Sequence, residues 1–271
     1  MPELPEVETT RRGITRHVVG KEIIQAVIRT ARLRYPVPRR LIRVLPGKAI
    51  HQIDRYGKYL LLRTIGGTII IHLGMSGNLR IVASAAPYER HDHVEFKFAD
   101  GHSLRLRDPR RFGLVLWTAL DPLQHPLLNG LGPEPLADIF SGHYLFQRSR
   151  RRKLPVKQFI MDASIVMGVG NIYANEALFM AGIHPMRPAG RISEQRYEGL
   201  VRAIKEVLRE AVAQGGTTLR DYFNGEGKPG HFQQSLQVYG REGMPCSICA
   251  GPLHHIRQGQ RSSYYCTRCQ R

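Results

Sequence analysis

The sequence predicts a multidomain α+β protein, and three observations support this fold class. Short β-forming runs dominate the first third, helical periodicity appears only after a stretch rich in proline and glycine, and all four cysteines lie within positions 246–269. These shifts in composition divide the chain into three predicted domains, at residues 1–131, 132–236 and 237–271.

The first domain is predicted to be a β-sandwich or barrel behind one short helix. Pro5 suits the first turn of a helix, which we expect to run from residue 6 to residue 14 and to end near Gly13. Gly66-Gly67 and Asp100-Gly101 are hairpin signals, and many short strands with such turns are typical of sandwiches and barrels. The strands are predicted at residues 22–28, 59–64, 68–73, 79–82, 94–98, 103–107 and 114–118.

The middle domain is predicted to be helical. Prolines and glycines crowd residues 121–142, which we interpret as the interdomain linker. Beyond it, apolar residues from Tyr197 to Ala211 recur three and four positions apart behind a suitable N-cap, Ser193. The glycine- and threonine-rich residues 215–230, including Tyr222 and Phe223, are expected to form a mobile loop.

The charge of the chain favours a polyanionic partner. Forty Lys and Arg residues against 22 Asp and Glu give a net charge of +18, and each predicted domain has a basic excess. This distribution indicates contact with nucleic acid along the whole molecule rather than through one basic tail. No apolar run is long enough to span a bilayer, and no signal peptide is recognisable, so a reducing cytoplasm is expected.

The cysteines are spaced as in a structural zinc site. Two Cys-x2-Cys pairs, whose members are Cys246, Cys249, Cys266 and Cys269, can each supply two thiolates to one tetrahedral ion. Two disulfides are the alternative, which the absence of an export signal disfavours. Arg261 lies in the turn between the two pairs, where its side chain is expected to point outward.

Pro2 is the first candidate for chemistry. Removal of Met1 would leave a secondary amine beside Glu3, and such an amine can attack an aldehyde-like carbon to form a cationic iminium. The alternative is that Pro-Glu here only starts a helix.

Other candidate residues each have a structural alternative. Arg110 and Phe112, in the turn 108–113, could enter a duplex and kink it, or be a phosphate contact and a core residue. Met75, between glycines, could be exposed or core, and Lys58 could simply be solvated. Gly168-Val169-Gly170 precedes a helix-like run at 172–181 and could bind phosphate, aided by the basic run of residues 148–157, or only cap the helix.

Taken together, the motifs resemble those of the formamidopyrimidine-DNA glycosylases, over the full chain and in the same order. The matching segments are Pro2 to Glu8, Gly57-Lys58, His72 to Gly77, Asp108 to Gly113, Gly168 to Tyr173 and the cysteine pairs. The resemblance implies an N-terminal β-sandwich with a flanking helix, a helix–two-turns–helix domain and a C-terminal four-cysteine zinc finger.

The resemblance also implies an enzyme of base excision repair that acts on oxidised purines in double-stranded DNA, namely 8-oxoguanine and formamidopyrimidines. It implies Pro2 as the nucleophile, Glu3 as a proton donor to the sugar ring, and Lys58 and Arg261 as proton donors for β- and δ-elimination. It implies one structural zinc ion, a monomer, and a bacterial cytoplasmic protein associated with the nucleoid through DNA. The implied DNA contacts are Met75, His91, Arg110, Phe112, Lys153, Lys157, Asn171 and Arg261.

Two competing hypotheses remain at this point. The chain could be similar to endonuclease VIII and prefer oxidised pyrimidines, although glycine is typical there where Leu4 stands. It could instead be a non-catalytic nucleic-acid-binding protein, for which an N-terminal amine would have no use. His91-Asp92-His93 equally suggests a chance metal pair.

Overall fold

The computed structural model describes residues 2–217 and 232–271, and the predicted loop of residues 215–230 lies largely outside them, with Tyr222 and Phe223. The described chain divides into two compact units. The first comprises the residues up to Asn129 together with those from Val212 to Gln233, and the second comprises residues 130–211 and 234–271. Whether the domains end at 131 and 236 stays a prediction.

In the residues that the structure describes, the first unit contains two α-helices and eight strands. The helices are α1 (Leu4–Val18) and α2 (Leu41–Val44). The strands are β1 (Glu22–Ile28), β2 (Lys48–Tyr56), β3 (Tyr59–Thr64), β4 (Gly67–His72), β5 (Asn78–Ala83), β6 (Asp92–Phe98), β7 (His102–Arg107) and β8 (Leu114–Thr118).

The strands form two antiparallel halves of a sandwich. Their order is β5-β7-β6-β1-β2-β3-β4-β8, and the two central strands, β1 and β2, pair only at Glu22 with Ala49 and Ile23 with Lys48. Apolar side chains from both sides of this short junction belong to one buried cluster, for example Phe96 on β6 and Ile69 on β4. The predicted β-sandwich with a flanking helix is thus confirmed, since Val7 and Ile14 of α1 lie in the same cluster.

Two local differences from the sequence prediction have packing causes. Helix α1 continues through Gly13 to Val18, because Ile14 and Val18 are fully buried and their packing outweighs the low helix propensity of one glycine. Strand β2 was not predicted, because a register shift between Ile50 and Gln52 spaces the buried residues Ile50 and Ile53 three apart instead of two.

The second unit is helical and carries a small hairpin. Its helices are α3 (Gly142–Ser149), α4 (Val156–Met161), α5 (Asn171–Met180) and α6 (Glu194–Ala213), the last of which extends two residues into the first unit. The hairpin consists of β9 (His254–Gln258) and β10 (Arg261–Tyr265). Ser193 lies directly before α6, and its Oγ accepts a hydrogen bond from Arg196 N–H at 3.4 Å, as its predicted capping role requires.

Among residues 2–217 and 232–271, no helix combines the length and the apolar character that crossing a bilayer would require.

Candidate active site

Pro2 and Glu3 are both buried and lie immediately before α1. The backbone N–H of Glu3 donates to Glu6 Oε2 at 2.8 Å, and Val7 N–H donates to Glu3 O at 3.1 Å. The first bond satisfies a donor that the start of a helix would otherwise leave unpaired, and the second is the first regular bond of the helix. The position of Pro2 is therefore set by the first turn of a packed helix.

Glu6 was not among the predicted site residues, yet it links this turn to a distant segment. Its Oε1 accepts the N–H of Thr217 at 2.8 Å, and Glu6 is buried. Thr217 is the last residue before the segment that lies outside the described residues. The signal in the sequence was the acid three positions after Glu3, a spacing typical of helix starts.

Lys58 lies in the tight turn between β2 and β3 and is half-buried. Its charge acts on His72, at the end of β4: burial first, then Lys58 and Arg34, lower the pKa of His72 to about 3. The neutral imidazole accepts the N–H of Gly74 through Nδ1 at 2.9 Å, and its ring lies 4.8 Å from that of Tyr59. Lys58 is thus held beside a histidine that adds no second positive charge.

Met75, Arg110 and Phe112 are exposed on two turns, residues 73–77 and 108–113. Met75 is 38% exposed and Phe112 46% exposed, so neither is a core residue. The Arg110 guanidinium lies 5.0 Å from the centre of the Phe112 ring. Large apolar side chains left in solvent beside an arginine suit insertion into a base stack.

The two turns touch backbone to backbone. Gly74 has a φ of +66°, and a Cβ at this position would come within 2.4 Å of Phe112 C and Gly113 N. A Cβ at Gly113 would come within 2.8 Å of His72 O. Only glycine permits this contact, which brings two segments about 35 residues apart in sequence into one surface.

His91 is half-buried, and the structure does not support a metal site beside it. Both ring nitrogens of His93 are engaged, Nδ1 with Thr30 Oγ1 at 2.8 Å and Nε2 with Asp108 O at 2.9 Å. The carboxylate of Asp92 pairs with Arg80 at 2.6 Å. In the described part of the chain, the cysteines form the one group of three or more possible metal ligands, and His91-Asp92-His93 does not form such a group.

The predicted contacts in the second unit differ in exposure. Lys153 is exposed, whereas Lys157 is buried and donates through Nζ to Ser262 O at 2.6 Å and Ser263 Oγ at 2.7 Å. Sequence reasoning treated Lys157 as a DNA contact only. The structure adds that it anchors the β9–β10 hairpin.

Asn171 begins α5, with Gly170 as the N-cap. Its Oδ1 is buried and makes no hydrogen bond to the residues that the structure describes. The next turn of the helix is fixed to the hairpin, because Asn175 Oδ1 accepts Tyr264 N–H at 2.7 Å. A phosphate contact here would use the amide Nδ2 of Asn171 and the positive end of the helix dipole, because Oδ1 can only accept.

Arg261 is exposed at the start of β10, beside the hairpin turn. It lines an open hollow of about 290 Å³ whose other side is formed by α4, at Gln158 and Met161. The hairpin thus presents Arg261 next to a space that a substrate group could enter.

The four cysteines fit one zinc ion. Their Sγ atoms all lie within 4.8 Å of one another, with Cys246 and Cys269 at 3.8 Å and Cys249 and Cys266 at 3.5 Å. Zn–S bonds of about 2.3 Å in a tetrahedron place sulfurs about 3.8 Å apart. Four thiolates complete the coordination shell, so the metal is structural, as predicted.

Comparison with known proteins agrees with this geometry. Family models match residues 1–115 (formamidopyrimidine-DNA glycosylase N-terminal domain), 131–222 (the H2TH domain of the same enzyme) and 243–271 (a zinc finger found in FPG and IleRS). A formamidopyrimidine-DNA glycosylase of Nitrosococcus oceani is 56% identical over 270 residues and covers both chains fully.

Solved structures of the Lactococcus lactis Fpg are also similar. One is a complex with N7-benzyl-Fapy-dG DNA, and another is a complex with DNA that contains an oxidised pyrimidine. Each has a TM-score of 0.92 and 34% identity and covers 100% of both chains.

Proposed function

Because this chain belongs to the formamidopyrimidine-DNA glycosylase family, we propose that it is a bifunctional DNA-repair enzyme, a glycosylase with abasic-site lyase activity that removes oxidised purines. The observation that carries the proposal is the geometry of the N-terminal segment. Pro2 lies directly before the first turn of α1, where the side chain of Glu6 accepts the N–H of Glu3 and that of Thr217. A binding protein would gain nothing from an amine held in this way.

The first step is nucleophilic substitution at the sugar. The nitrogen of Pro2, once Met1 is removed, attacks C1′ and forms a C–N bond, while the bond from C1′ to the damaged base breaks and the base leaves with that electron pair and a proton. Glu3, the adjacent residue, donates a proton to the ring oxygen as the sugar opens. The product is an iminium that remains cationic without a proton.

Two eliminations then cleave the strand. The iminium makes the C2′ proton acidic, its removal expels the 3′ phosphate, and a second elimination expels the 5′ phosphate. We assign proton transfer in the first elimination to Lys58 and in the second to Arg261. A one-nucleotide gap with phosphate at both ends results.

The damaged nucleotide must leave the stack before it can react, and this costs a few kcal/mol. We assign Met75, Arg110 and Phe112 to the vacated space, since their exposed side chains share one rigid surface. We assign phosphate contacts to His91, Lys153, Lys157 and Asn171. The structural zinc ion fixes the finger on which Arg261 lies and takes no part in the bond changes.

The finer biological assignments are also proposals. We propose that the protein acts as a monomer on lesion-bearing double-stranded DNA in the bacterial cytoplasm, associated with the nucleoid through that DNA.

Borohydride trapping tests the covalent step. We expect a stable adduct between the protein and a duplex that contains 8-oxoguanine opposite cytosine, and no adduct from Pro2→Gly. Pro5→Ala is the matched control, because Pro5 lies one turn further on in α1 and has no free amine. An adduct in Pro2→Gly as strong as in the parent protein would refute the assignment of the nucleophile.

The substrate class needs a separate comparison, because the similar Lactococcus lactis Fpg has been crystallised with an oxidised pyrimidine. We expect faster single-turnover excision of 8-oxoguanine than of thymine glycol from otherwise identical duplexes. The reverse order would favour an activity similar to that of endonuclease VIII. Tight binding without excision of either base would favour a non-catalytic protein.

A further inference from the structure

Asp108 is a fully buried carboxylate at the surface that carries Met75, Arg110 and Phe112, and its side chain joins the two turns. Its Oδ1 accepts the hydroxyl hydrogen of Ser76 at 2.7 Å, and its Oδ2 accepts Gly113 N–H at 2.8 Å. The carboxylate therefore binds the 73–77 turn through one oxygen and the far end of its own turn through the other.

The same hydrogen-bond network reaches the backbone next to the exposed side chains. Ser76 Oγ, which donates to Asp108, accepts the backbone N–H of Arg110 at 3.1 Å. Ser76 is directly bonded in sequence to Met75, and Gly113 to Phe112. Each of the three exposed side chains is thus at most one residue from a hydrogen bond in this network.

The backbone of Asp108 holds a third segment. Its N–H donates to His91 O at 3.0 Å, and its carbonyl accepts from His93 Nε2 at 2.9 Å. His93 is itself anchored through Nδ1 to Thr30 Oγ1 at 2.8 Å. One residue therefore connects the segments that carry Met75, His91 and the Arg110–Phe112 pair.

A carboxylate suits this double contact, because it accepts at both oxygens, whereas an amide has one oxygen and one NH2 group. With the NH2 of an asparagine toward Ser76, the hydroxyl would have to accept and its own hydrogen would lose its present acceptor. With the NH2 toward Gly113, two donors would face each other. Either arrangement weakens the network, while the volume of the side chain stays the same.

We propose that Asp108 is a positioning residue for base extrusion, which holds Met75, Arg110 and Phe112 in one arrangement so that they enter the stack together. The inference rests on the proposed function, since it assumes that these three side chains fill the space of the extruded base. Asp108 itself touches neither the sugar nor the base in this scheme.

The test separates extrusion from sugar chemistry. Single-turnover cleavage is measured on two duplexes, one with 8-oxoguanine and one with a preformed abasic site, where least stacking has to be broken. In Asp108→Asn we expect cleavage at 8-oxoguanine to fall by about tenfold to a hundredfold, as for other small losses of positioning. Cleavage at the abasic site should stay close to that of the parent protein.

Two further variants complete the design. Ser76→Ala removes one of the two anchors and should give the same pattern with a smaller loss. Asp100→Asn is the matched control: Asp100 also accepts a backbone N–H, from His102 at 3.1 Å, but it is exposed in the β6–β7 turn. It should leave both rates unchanged.

The outcomes are distinguishable. An unchanged ratio of the two rates in folded Asp108→Asn, whether both rates fall equally or neither falls, would overturn the inference. If Asp108→Asn does not fold, the ratio in Ser76→Ala decides in the same way. If the parent protein gives neither a trapped adduct nor cleavage, the proposed function fails, and the inference fails with it.

Discussion

At the scale of single residues, buried or uncharged neighbours hold in place the side chains that we assign to the reaction. His72 is the clearest case, because its imidazole must stay unprotonated at Nδ1 to accept the N–H of Gly74. Burial and the charges of Lys58 and Arg34 lower the pKa of His72 to about 3. The turn that carries Met75 therefore depends on the protonation state of a residue that takes no part in the reaction.

This dependence predicts a loss of stability in acid. A histidine with a lowered folded-state pKa stabilises the protein fully above its ordinary pKa of about 6.5 and progressively less as the pH falls toward about 3. Between pH 7 and pH 4.5 we expect the free energy of unfolding, measured with urea, to drop by about 2–3 kcal/mol more in the parent protein than in His72→Gln.

The control for this measurement is His51→Gln, since His51 is exposed on β2. It should leave the pH dependence as it is. Equal pH profiles for the parent protein and His72→Gln would show that His72 is not protonated during acid unfolding.

Sequence reasoning proposed the reactive residues and did not identify those that support them. Pro2, Lys58 and Arg261 lie at recognisable motif positions. Asp108 and Glu6 are ordinary acids whose importance lies in what they contact: Glu6 reaches Thr217 and Asp108 reaches Ser76. Contacts over such sequence separations leave no local pattern in the chain.

At the scale of secondary-structure elements, the β9–β10 hairpin positions Arg261, and Lys157 of α4 holds the hairpin. Two hydrogen bonds from the buried ammonium, to Ser262 O and Ser263 Oγ, fix β10 directly after Arg261. Gln258 adds a bond from Nε2 to Pro185 O at 3.3 Å. These bonds anchor the turn end of the hairpin, while Asn175 binds its other end at Tyr264.

We expect Lys157→Met to alter the products of strand cleavage. Removing the ammonium leaves buried acceptors unpaired, at a cost of about 1–3 kcal/mol, and lets the hairpin shift. With Arg261 displaced, the β-elimination product should accumulate at the expense of the δ-elimination product on a denaturing gel at saturating enzyme.

Lys153→Met is the matched control, because Lys153 is an exposed lysine only four residues away. It should weaken DNA binding without changing the ratio of products. If Lys157→Met also keeps the parent ratio, then Lys157 does not position Arg261.

The secondary-structure elements were predictable where the apolar residues follow one regular spacing. Strand β6 and helix α6 have their apolar residues at regular spacing, and both were predicted near their observed positions. Strand β2 was not predicted because its bulge interrupts the alternation of apolar and polar residues. Strands β9 and β10 were not predicted because a two-stranded zinc hairpin is stabilised by the metal and by contacts such as that of Lys157, and not by a local apolar pattern.

At the scale of the whole molecule, the net charge of +18 favours electrostatic binding to DNA. Four of the predicted DNA contacts are cationic side chains: Arg110, Lys153, Lys157 and Arg261. Each phosphate neutralised releases counterions, so binding weakens as salt rises.

We expect the logarithm of the binding constant to fall linearly with the logarithm of salt concentration, and Lys153→Ala to reduce the slope by about one. Fluorescence anisotropy on an undamaged duplex gives the slope without catalysis. Lys21→Ala is the control, since its ammonium already pairs with Asp100 at 3.0 Å. Equal slopes for the parent protein and Lys153→Ala would exclude a phosphate contact at Lys153.

The unit that holds Pro2 is assembled from two separate stretches of the gene product, because residues 212–233 belong to it as well as those up to Asn129. A fragment truncated at residue 129 would therefore keep every strand of the sandwich but lose Thr217, the donor to Glu6 Oε1. The loss of this hydrogen bond would cost about 0.5–1.5 kcal/mol in the helix that directly follows Pro2, the proposed nucleophile. Expressing the two units separately thus requires a circularly permuted or spliced chain, because truncation at one position removes part of the first unit.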